Sequence, residues 1–232
     1  MLKKTLLGLT ALLAFSAQAN VVITGTRVIY PENEKNITVK LDNNGQNAAL
    51  VQAWMDEGDA NADPRYTKVP FVITPPVSRV EAKAGQTLRI AYTGAKALPK
   101  DRESLFYFNL LDIPPKPSKE FLEKSPNFLQ LAIRSRLKFF YRPNNLPITP
   151  VDAYKKVTWQ AVSGGVKVNN QTPYYMSYVG AEINHVALKN VQMVAPFSQA
   201  TFNATNAKKG STIKWYLVND YGGDTTGEAV LQ

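Results

Sequence analysis

The side chains most able to do chemistry in this sequence are four cations within residues 127–143, NFLQLAIRSRLKFFYRP. Arg134, Arg136, Lys138 and Arg142 fill much of the second half of that stretch. A basic protein could use such groups on nucleic acid, on anionic lipids or sugars, or on an acidic protein partner. No recognition helix or zinc pattern accompanies the charge, so we do not expect nucleic-acid binding.

Catalysis has little support in the sequence. His185 is the single histidine, and no nucleophile elbow is present, so a Ser–His–Asp arrangement is not indicated. One histidine and no cysteine also exclude a histidine or cysteine zinc site. Asp59, Asn61 and Asp63 resemble the opening of a calcium loop, but Pro64 replaces the required glycine. We therefore expect no enzymatic activity, no metal and no cofactor.

The apolar half of residues 127–143 predicts a β-strand over residues 127–141. Leu129, Leu131 and Ile133 alternate with Gln130 and Arg134, so a β conformation places the three apolar side chains on one face. Such a strand could be an ordinary sandwich strand, a ligand-binding edge, or a template lent to another chain.

Residues 1–19 have the pattern of a secretory signal peptide, with a cationic start, an apolar run and an A-x-A cleavage site before Asn20. The apolar run is too short to span a bilayer, so we expect an exported protein without membrane insertion. Removing Lys3 and Lys4 with the signal lowers the formal charge of +9 by two. Without cysteines, the chain must depend on large hydrophobic cores instead of disulfides.

Short apolar runs separated by turn residues predict an all-β protein. About seven such runs precede residue 143 and a second series follows it, which is the count and spacing of two immunoglobulin-like β-sandwich domains. Residues 143–150, PNNLPITP, carry three prolines and are typical of a stiff linker. We therefore predict domains at 20–143 and 144–232. Residues 114–126 are predicted to form a polar loop.

Six short motifs run in order through both predicted domains: ITPP at 73–76, DRESLFYFN at 101–109 followed by IPP at 113–115, LKFFYRP at 137–143, TPYY at 172–175, APFS at 195–198 and NDYGG at 219–223. Any one of them would be weak evidence, but the six together cover essentially the whole mature chain. In this order they resemble the PapD-like periplasmic chaperones, which serve the chaperone–usher pathway of pilus assembly.

The resemblance implies two sandwiches in a boomerang arrangement with a cleft between them. In the family, an arginine of the first strand and a lysine late in the seventh anchor the C-terminal carboxylate of a pilin subunit. The matching positions are Arg27 and Lys138. A pilin of this class lacks its last strand, and the chaperone supplies one. The donor-strand residues implied to enter the pilin groove are Asn127, Leu129, Leu131 and Ile133.

The positions of the anchor and the donor residues raise a question of parity. Lys138 has the opposite parity to Leu129, Leu131 and Ile133, so an unbroken strand would place it on the other face. Either a bulge lies between them, or the carboxylate is held from the opposite side.

The resemblance also implies a buried salt-bridge network across the domain junction. Its members in the family are a glutamate, an arginine and an aspartate, and the matching residues are Glu103, Arg142 and Asp220. Such a network would fix the angle between the domains, because removal of one member leaves uncompensated charge.

We therefore expect a periplasmic chaperone that binds and folds pilin subunits by donor-strand complementation and delivers them to an outer-membrane usher. The free strand would be protected by the 114–126 loop or by a self-capping homodimer. The main alternative is a secreted β-sandwich adhesin or carbohydrate-binding module, which would expose aromatic residues in loops. A fibre subunit is disfavoured, since the first mature strand runs directly into the fold.

Overall fold

The computed structural model describes residues 20–124, 127 and 129–232, and the predicted signal peptide at 1–19 lies outside them. The described residues form sixteen strands and two short helices. The earlier strands are β1 (Val21–Ile23), β2 (Arg27–Pro31), β3 (Ile37–Asn43), β4 (Ala49–Asp56), β5 (Phe71–Thr74), β6 (Val77–Val80), β7 (Gly85–Tyr92), β8 (Ser104–Ile113) and β9 (Ile133–Arg142). The later strands are β10 (Thr158–Val162), β11 (Gly165–Asn170), β12 (Tyr178–Ile183), β13 (Val186–Ala187), β14 (Ser198–Asn203), β15 (Thr212–Val218) and β16 (Asp224–Val230). The helices are α1 (Lys119–Lys124) and α2 (Pro150–Tyr154).

Strands β1 to β9 form the two facing sheets of a first sandwich. One sheet has the order β1-β3-β7-β5 and the other the order β2-β9-β8-β4-β6. The alternation along β4 shows why the sheets face each other. Ala49, Val51, Ala53 and Met55 are buried in the core between them, whereas Leu50 points to solvent.

The chain changes sheets between β1 and β2. Gly25 lies in this crossing with a φ of 100°, a conformation that costs glycine little. The crossing brings β2 alongside the second half of β9, and these two strands run parallel. β2 reaches only residues 138–142 of β9, so residues 133–137 have no strand partner on that side within the described chain.

The strand predicted over residues 127–141 is shorter than expected, because β9 begins only at Ile133. Its neighbour β8 explains the difference. Ile133 pairs with Asp112, and soon afterwards the chain reaches Pro114 and Pro115, which have no amide hydrogen to continue the ladder. The loop predicted at 114–126 contains α1.

The later strands form a second sandwich, with sheet orders β10-β11-β14 and β13-β12-β15-β16. Aromatic rings meet edge to face in its core: the Tyr178 ring centroid lies 5.1 Å from that of Trp159 and 6.1 Å from that of Trp215. Gly227 of β16 makes room for Trp215, since a Cβ at this position would lie 2.2 Å from the indole ring. The predicted all-β class with two immunoglobulin-like sandwiches is confirmed. None of the helices in the described residues has the length and apolar character needed to cross a membrane.

Candidate functional site

Arg27 and Lys138 lie side by side in the structure. They are register partners in the parallel pairing of β2 with β9. Leu137 and Phe139, on either side of Lys138, pack in or against the core, so Lys138 points to the outer face of the sheet. The Arg27 Nη1 donates a hydrogen bond of 2.7 Å to the carbonyl oxygen of Val218, at the end of β15. The cation pair therefore lies where the first sandwich contacts the second.

The electrostatics of this cation pair favour a bound anion. Burial lowers the pKa of Arg27, and Asp220 opposes that decrease. Burial also lowers the pKa of Lys138, and the charge of Arg27 lowers it further. Within the described chain neither cation forms an ion pair, and the buried Arg27 Nε has no hydrogen-bond partner. An anion bound between them would offset the repulsion and satisfy donors that the protein leaves open.

The apolar side chains predicted to form a donor strand are exposed. The exposed fraction is 82% for Leu129, 62% for Leu131 and 41% for Ile133, and Asn127 is exposed as well. Only Ile133 belongs to β9; Asn127, Leu129 and Leu131 precede the strand in this state of the protein. A run of large exposed apolar side chains marks an interaction surface.

The register of β9 answers the parity question. Its pairing with β8 is unbroken from Ile133 opposite Asp112 to Tyr141 opposite Ser104. A bulge between Ile133 and Lys138 is therefore excluded, and the two side chains lie on opposite faces of the strand. Of the two alternatives, only the second remains: a carboxylate bound by Lys138 would lie on the face opposite to the apolar side chains.

Residues 133–137 of β9 present a free edge. They pair with β8 on one side, and a cleft of about 460 Å³ borders the other side. The residues lining it include Val21, Ile23, Ser135 and Leu137. Backbone groups along a free edge can form a ladder with an added strand.

Gln130 fixes the segment that precedes β9. Its Nε2 donates hydrogen bonds to the carbonyl oxygens of Pro114 and Pro115, at 3.1 and 2.9 Å. These carbonyls follow the last residue of β8 and have no ladder partner of their own in the described chain. Side-chain hydrogen bonds from Gln130 thus replace backbone strand pairing at this point.

Glu103, Arg142 and Asp220 lie in direct contact across the two sandwiches. The Arg142 Nε donates to the Glu103 Oε1 at 2.8 Å, and its Nη1 and Nη2 donate to the two Asp220 oxygens at 2.7 and 2.9 Å. The backbone N–H of Tyr175 donates to the other Glu103 oxygen at 2.8 Å. The Arg142 guanidinium also lies over the Tyr174 ring, 5.1 Å from its centroid.

The network is partly shielded from solvent, which sets its ionisation. The exposed fraction of the side chain is 2% for Glu103, 19% for Arg142 and 27% for Asp220. Burial raises the pKa of Glu103, and the Arg142 charge and the Tyr175 amide oppose that increase. Hydrogen bonds and charge from both carboxylates outweigh the effect of burial on Arg142 and raise its pKa. The guanidinium is therefore the fixed charge about which the two carboxylates are arranged.

A second cluster of charges was not predicted from the sequence. Asp56, at the end of β4, contacts Asn109 of β8 and Arg136 of β9, and Arg134 lies nearby. The sequence indicated this cluster only through Arg134 and Arg136, which alternate with Ser135 and so lie on one face of a strand. Their carboxylate partner is about 80 residues distant in sequence.

Comparison with protein-family models matches both sandwiches. Residues 20–147 match the family described as "Pili and flagellar-assembly chaperone, PapD N-terminal domain". Residues 152–229 match "Pili assembly chaperone PapD, C-terminal domain". Together the two matches cover nearly all of the described chain.

Individual relatives agree with the family match. The chain is 63% identical to the chaperone protein HifB of Haemophilus influenzae, over 100% of this chain and 98% of HifB. It superposes on the CupB2 chaperone of Pseudomonas aeruginosa with a TM-score of 0.77 and 35% identity, over 91% of this chain and 100% of that one. It also resembles a chain from the complex of the Salmonella enterica SafA pilin with the SafB chaperone, with a TM-score of 0.80, 27% identity, and coverage of 94% and 99%.

Proposed function

Because the chain belongs to the PapD family of pili-assembly chaperones, we propose that it is a non-enzymatic periplasmic chaperone whose clients are pilin subunits. It completes the fold of each subunit by donor-strand complementation and delivers it to an outer-membrane usher. A related chaperone, SafB, occurs in a solved complex with the SafA pilin, which supports a pilin as the client. The predicted signal peptide at 1–19 supports export to the periplasm.

The observation that carries this proposal is the pairing of Arg27 with Lys138. The two half-buried cations are adjacent in register and have no anionic partner in the described chain. A polypeptide C-terminus, with a pKa of about 3.3–3.7, is always ionised at neutral pH. It therefore supplies the missing anion whatever the sequence of the client, and its position fixes the register of the client strand.

The apolar side chains before the cation pair complete the client core. In the bound state the segment from Asn127 to residue 132 extends β9 toward its N-terminal end, so that Leu129, Leu131 and Ile133 share one face. That face is opposite to Lys138, so the client carboxylate is bound on one face while the apolar side chains fill the groove of the client on the other. The free edge at residues 133–137 adds backbone hydrogen bonds.

The network of Glu103, Arg142 and Asp220 holds the angle between the domains. Arg142 ends β9, and Asp220 follows β15 of the second sandwich, so one guanidinium connects both. We place the domain boundary between residues 143 and 144. In support, one hydrophobic core is built from residues 21–141 and the other from residues 153–231.

In the absence of a client, a second copy of the chain covers the exposed apolar side chains. Leu129, Leu131 and Ile133 present a hydrophobic row next to an unpaired strand edge, and such an edge promotes association. The free chaperone would therefore form a self-capping homodimer that a pilin displaces.

The test is to co-express the protein with the pilin subunits of its own organism and to measure the pilin that co-purifies. Lys138→Ala should remove most of the bound pilin, since each hydrogen bond to a charged group contributes about 1.5–3 kcal/mol. Lys167→Ala is the matched control, because Lys167 is also a half-buried strand lysine but lies in the second sandwich. Normal pilin capture by Lys138→Ala would refute the anchor, and the absence of pilin with the unmutated protein would refute the function.

A further inference from the structure

Asp56 is a buried carboxylate on the outer face of the first sandwich. Its side chain is 1% exposed, although it lies outside the hydrophobic core. It accepts hydrogen bonds from the Arg136 Nε at 2.9 Å, from the Asn109 Nδ2 at 2.8 Å and from the Gly58 N–H at 2.7 Å. The Arg136 Nη2 donates to Oδ1, the oxygen that also accepts from Gly58, whereas the Arg136 Nε and the Asn109 Nδ2 donate to Oδ2. One carboxylate thus connects β4, β8 and β9.

Arg134 extends this cluster to the beginning of β9. Its Nε and Nη2 donate to the Asn109 Oδ1 at 3.0 and 2.7 Å, and its Nη1 donates to the carbonyl oxygen of Ala60. The guanidinium also lies over the Trp54 ring, 4.9 Å from the centroid. The Arg134 Nη2 is 3.8 Å from the Asp56 carboxylate. Arg134 and Arg136 are therefore both held by groups on β8, on β4 and in the loop after β4.

The cluster lies at the part of β9 that pairs with β8 but not with β2. Residues 133–137 pair with β8 but lie beyond the reach of β2, and Arg134 and Arg136 both fall within this part. Lys138 is the next residue on the same face, opposite Tyr107, and the Arg136 guanidinium covers the Tyr107 ring at 3.5 Å. Any movement of Arg136 would therefore be transmitted to the strand that carries the proposed carboxylate anchor.

Because the Asp56 carboxylate is buried, Asp56 and Arg136 each depend on the other. Burial alone would raise the pKa of Asp56, but the hydrogen bonds from Arg136, Asn109 and Gly58 outweigh it and hold the pKa below its usual value. An ionised Asp56 without the arginines would be a buried charge with few partners, and Arg136 without Asp56 would lose its ion pair. Separation of β4 from β9 would therefore leave Asp56 and Arg136 without their opposite charges.

We propose that Asp56 is a positioning residue for client capture: through Arg136, and through Asn109 and Arg134, it holds the first half of β9 in register while an incoming strand pairs with the free edge. This inference rests on the proposed function, since it assigns a role in the same strand exchange. Asp56 itself does not touch the client. It acts by keeping residues 133–137 in place, so that the apolar segment before them and Lys138 after them stay correctly spaced.

The first experiment needs no client. Hydrogen exchange of the free protein is compared for Asp56→Asn and for Asp63→Asn, which makes the same chemical change in an exposed ion pair with Arg65. Asp56→Asn should accelerate exchange at residues 133–137 by about tenfold or more, the effect of losing one hydrogen bond to a charged group. Asp63→Asn should leave these residues unchanged. Equal exchange in the two variants would overturn the proposal.

The second experiment separates positioning from general stability. Ile90→Val, in the core at β7 of the other sheet, lowers stability from outside the sheet that contains β9 and the Asp56 cluster. Pilin capture is then compared at temperatures where Asp56→Asn and Ile90→Val are equally folded. Asp56→Asn should capture pilin at least about tenfold more slowly, and equal capture would show that Asp56 is merely structural. A protein that captures no pilin even when unmutated would refute the proposed function instead.

Two further variants keep the proposal testable if Asp56→Asn does not fold. Arg134→Ala removes the contacts to Asn109 and Ala60 but leaves the pair of Arg136 with Asp56 intact, and its side chain is 30% exposed. It should accelerate exchange at the start of β9 and slow pilin capture, by a smaller factor. Arg136→Gln should reproduce the effect of Asp56→Asn, and the double variant should be no worse than either single one. Normal exchange and capture in Arg134→Ala and Arg136→Gln would overturn the proposal.

Discussion

The Arg142 guanidinium binds both oxygens of Asp220, so the last residue of the proposed donor strand is joined directly to the second sandwich. Arg142 and Lys138 belong to the same strand, four positions apart and on the same face. The domain junction and the proposed carboxylate anchor therefore share one strand, β9.

Asp220→Asn should destabilise the junction. The asparagine keeps one oxygen acceptor but loses the charge, so we expect the free energy of unfolding to decrease by about 1.5–3 kcal/mol. Thermal unfolding reports the stability, and small-angle scattering reports the angle between the domains. Asp101→Asn, which breaks an exposed pair with Arg102, is the control and should change neither. An unchanged melting curve and scattering profile for Asp220→Asn would show that the network is not structural.

Leu131→Glu should abolish complementation, because a carboxylate would enter an apolar groove without a partner. Val151→Glu is a matched control: both side chains are 62% exposed in the free protein, but Val151 lies on α2. Both variants should fold and purify normally, and only Leu131→Glu should fail to retain a pilin in a pull-down. Similar pilin recovery with the two variants would contradict the donor assignment.

The affinity for a client C-terminus should begin to decrease at a lower pH than it would if Lys138 had the pKa of an ordinary lysine. Burial and Arg27 lower the pKa of Lys138 in the free protein, and a bound carboxylate would raise it again. Binding is then constant below the free pKa and weakens as pH rises through it, toward the usual lysine value of about 10.4. Calorimetry with a peptide of the last pilin strand, as the free acid and as the amide, measures this dependence.

Lys138→Arg is the control for this pH dependence, since a guanidinium stays charged over the whole range. Its affinity for the free-acid peptide should stay nearly constant where that of the unmutated protein decreases. An identical decrease in both proteins would mean that Lys138 is not the titrating group.

The free protein should protect β9 by self-association. Hydrogen exchange at residues 129–137 should slow as the protein concentration increases, with little change elsewhere, and sedimentation should show a dimer that pilin dissociates. Leu131→Glu should remain monomeric at every concentration. Fast exchange of these residues in concentrated solutions would contradict capping by a second copy.

Local sequence patterns predicted much of the fold and part of the site. Alternating apolar residues indicated strands such as β4, and the resemblance identified Arg27, Lys138 and the three junction residues, which the structure brings into two clusters. Partners far apart in sequence leave no local signal. The contact of Asp56 with Arg136, about 80 residues away, was therefore not predicted.

The length of β9 could not be predicted from its own residues. The run from Leu129 to Ile133 has the alternation of a strand, but a strand also needs a neighbour with free backbone groups. That neighbour, β8, ends at Ile113, directly before Pro114 and Pro115, so the alternation in residues 129–132 has no ladder to join in the free protein.

The early end of this ladder has a thermodynamic consequence. Residues 129–132 must lose conformational entropy when a client orders them, at a cost of about 1–2 kcal/mol for each backbone fixed. This cost lowers the net affinity of the chaperone for the client without weakening any single contact. Under the proposed function, a strand carried by the next subunit and fitting the groove better would then displace the chaperone at equilibrium, and this exchange would supply free energy for fibre growth.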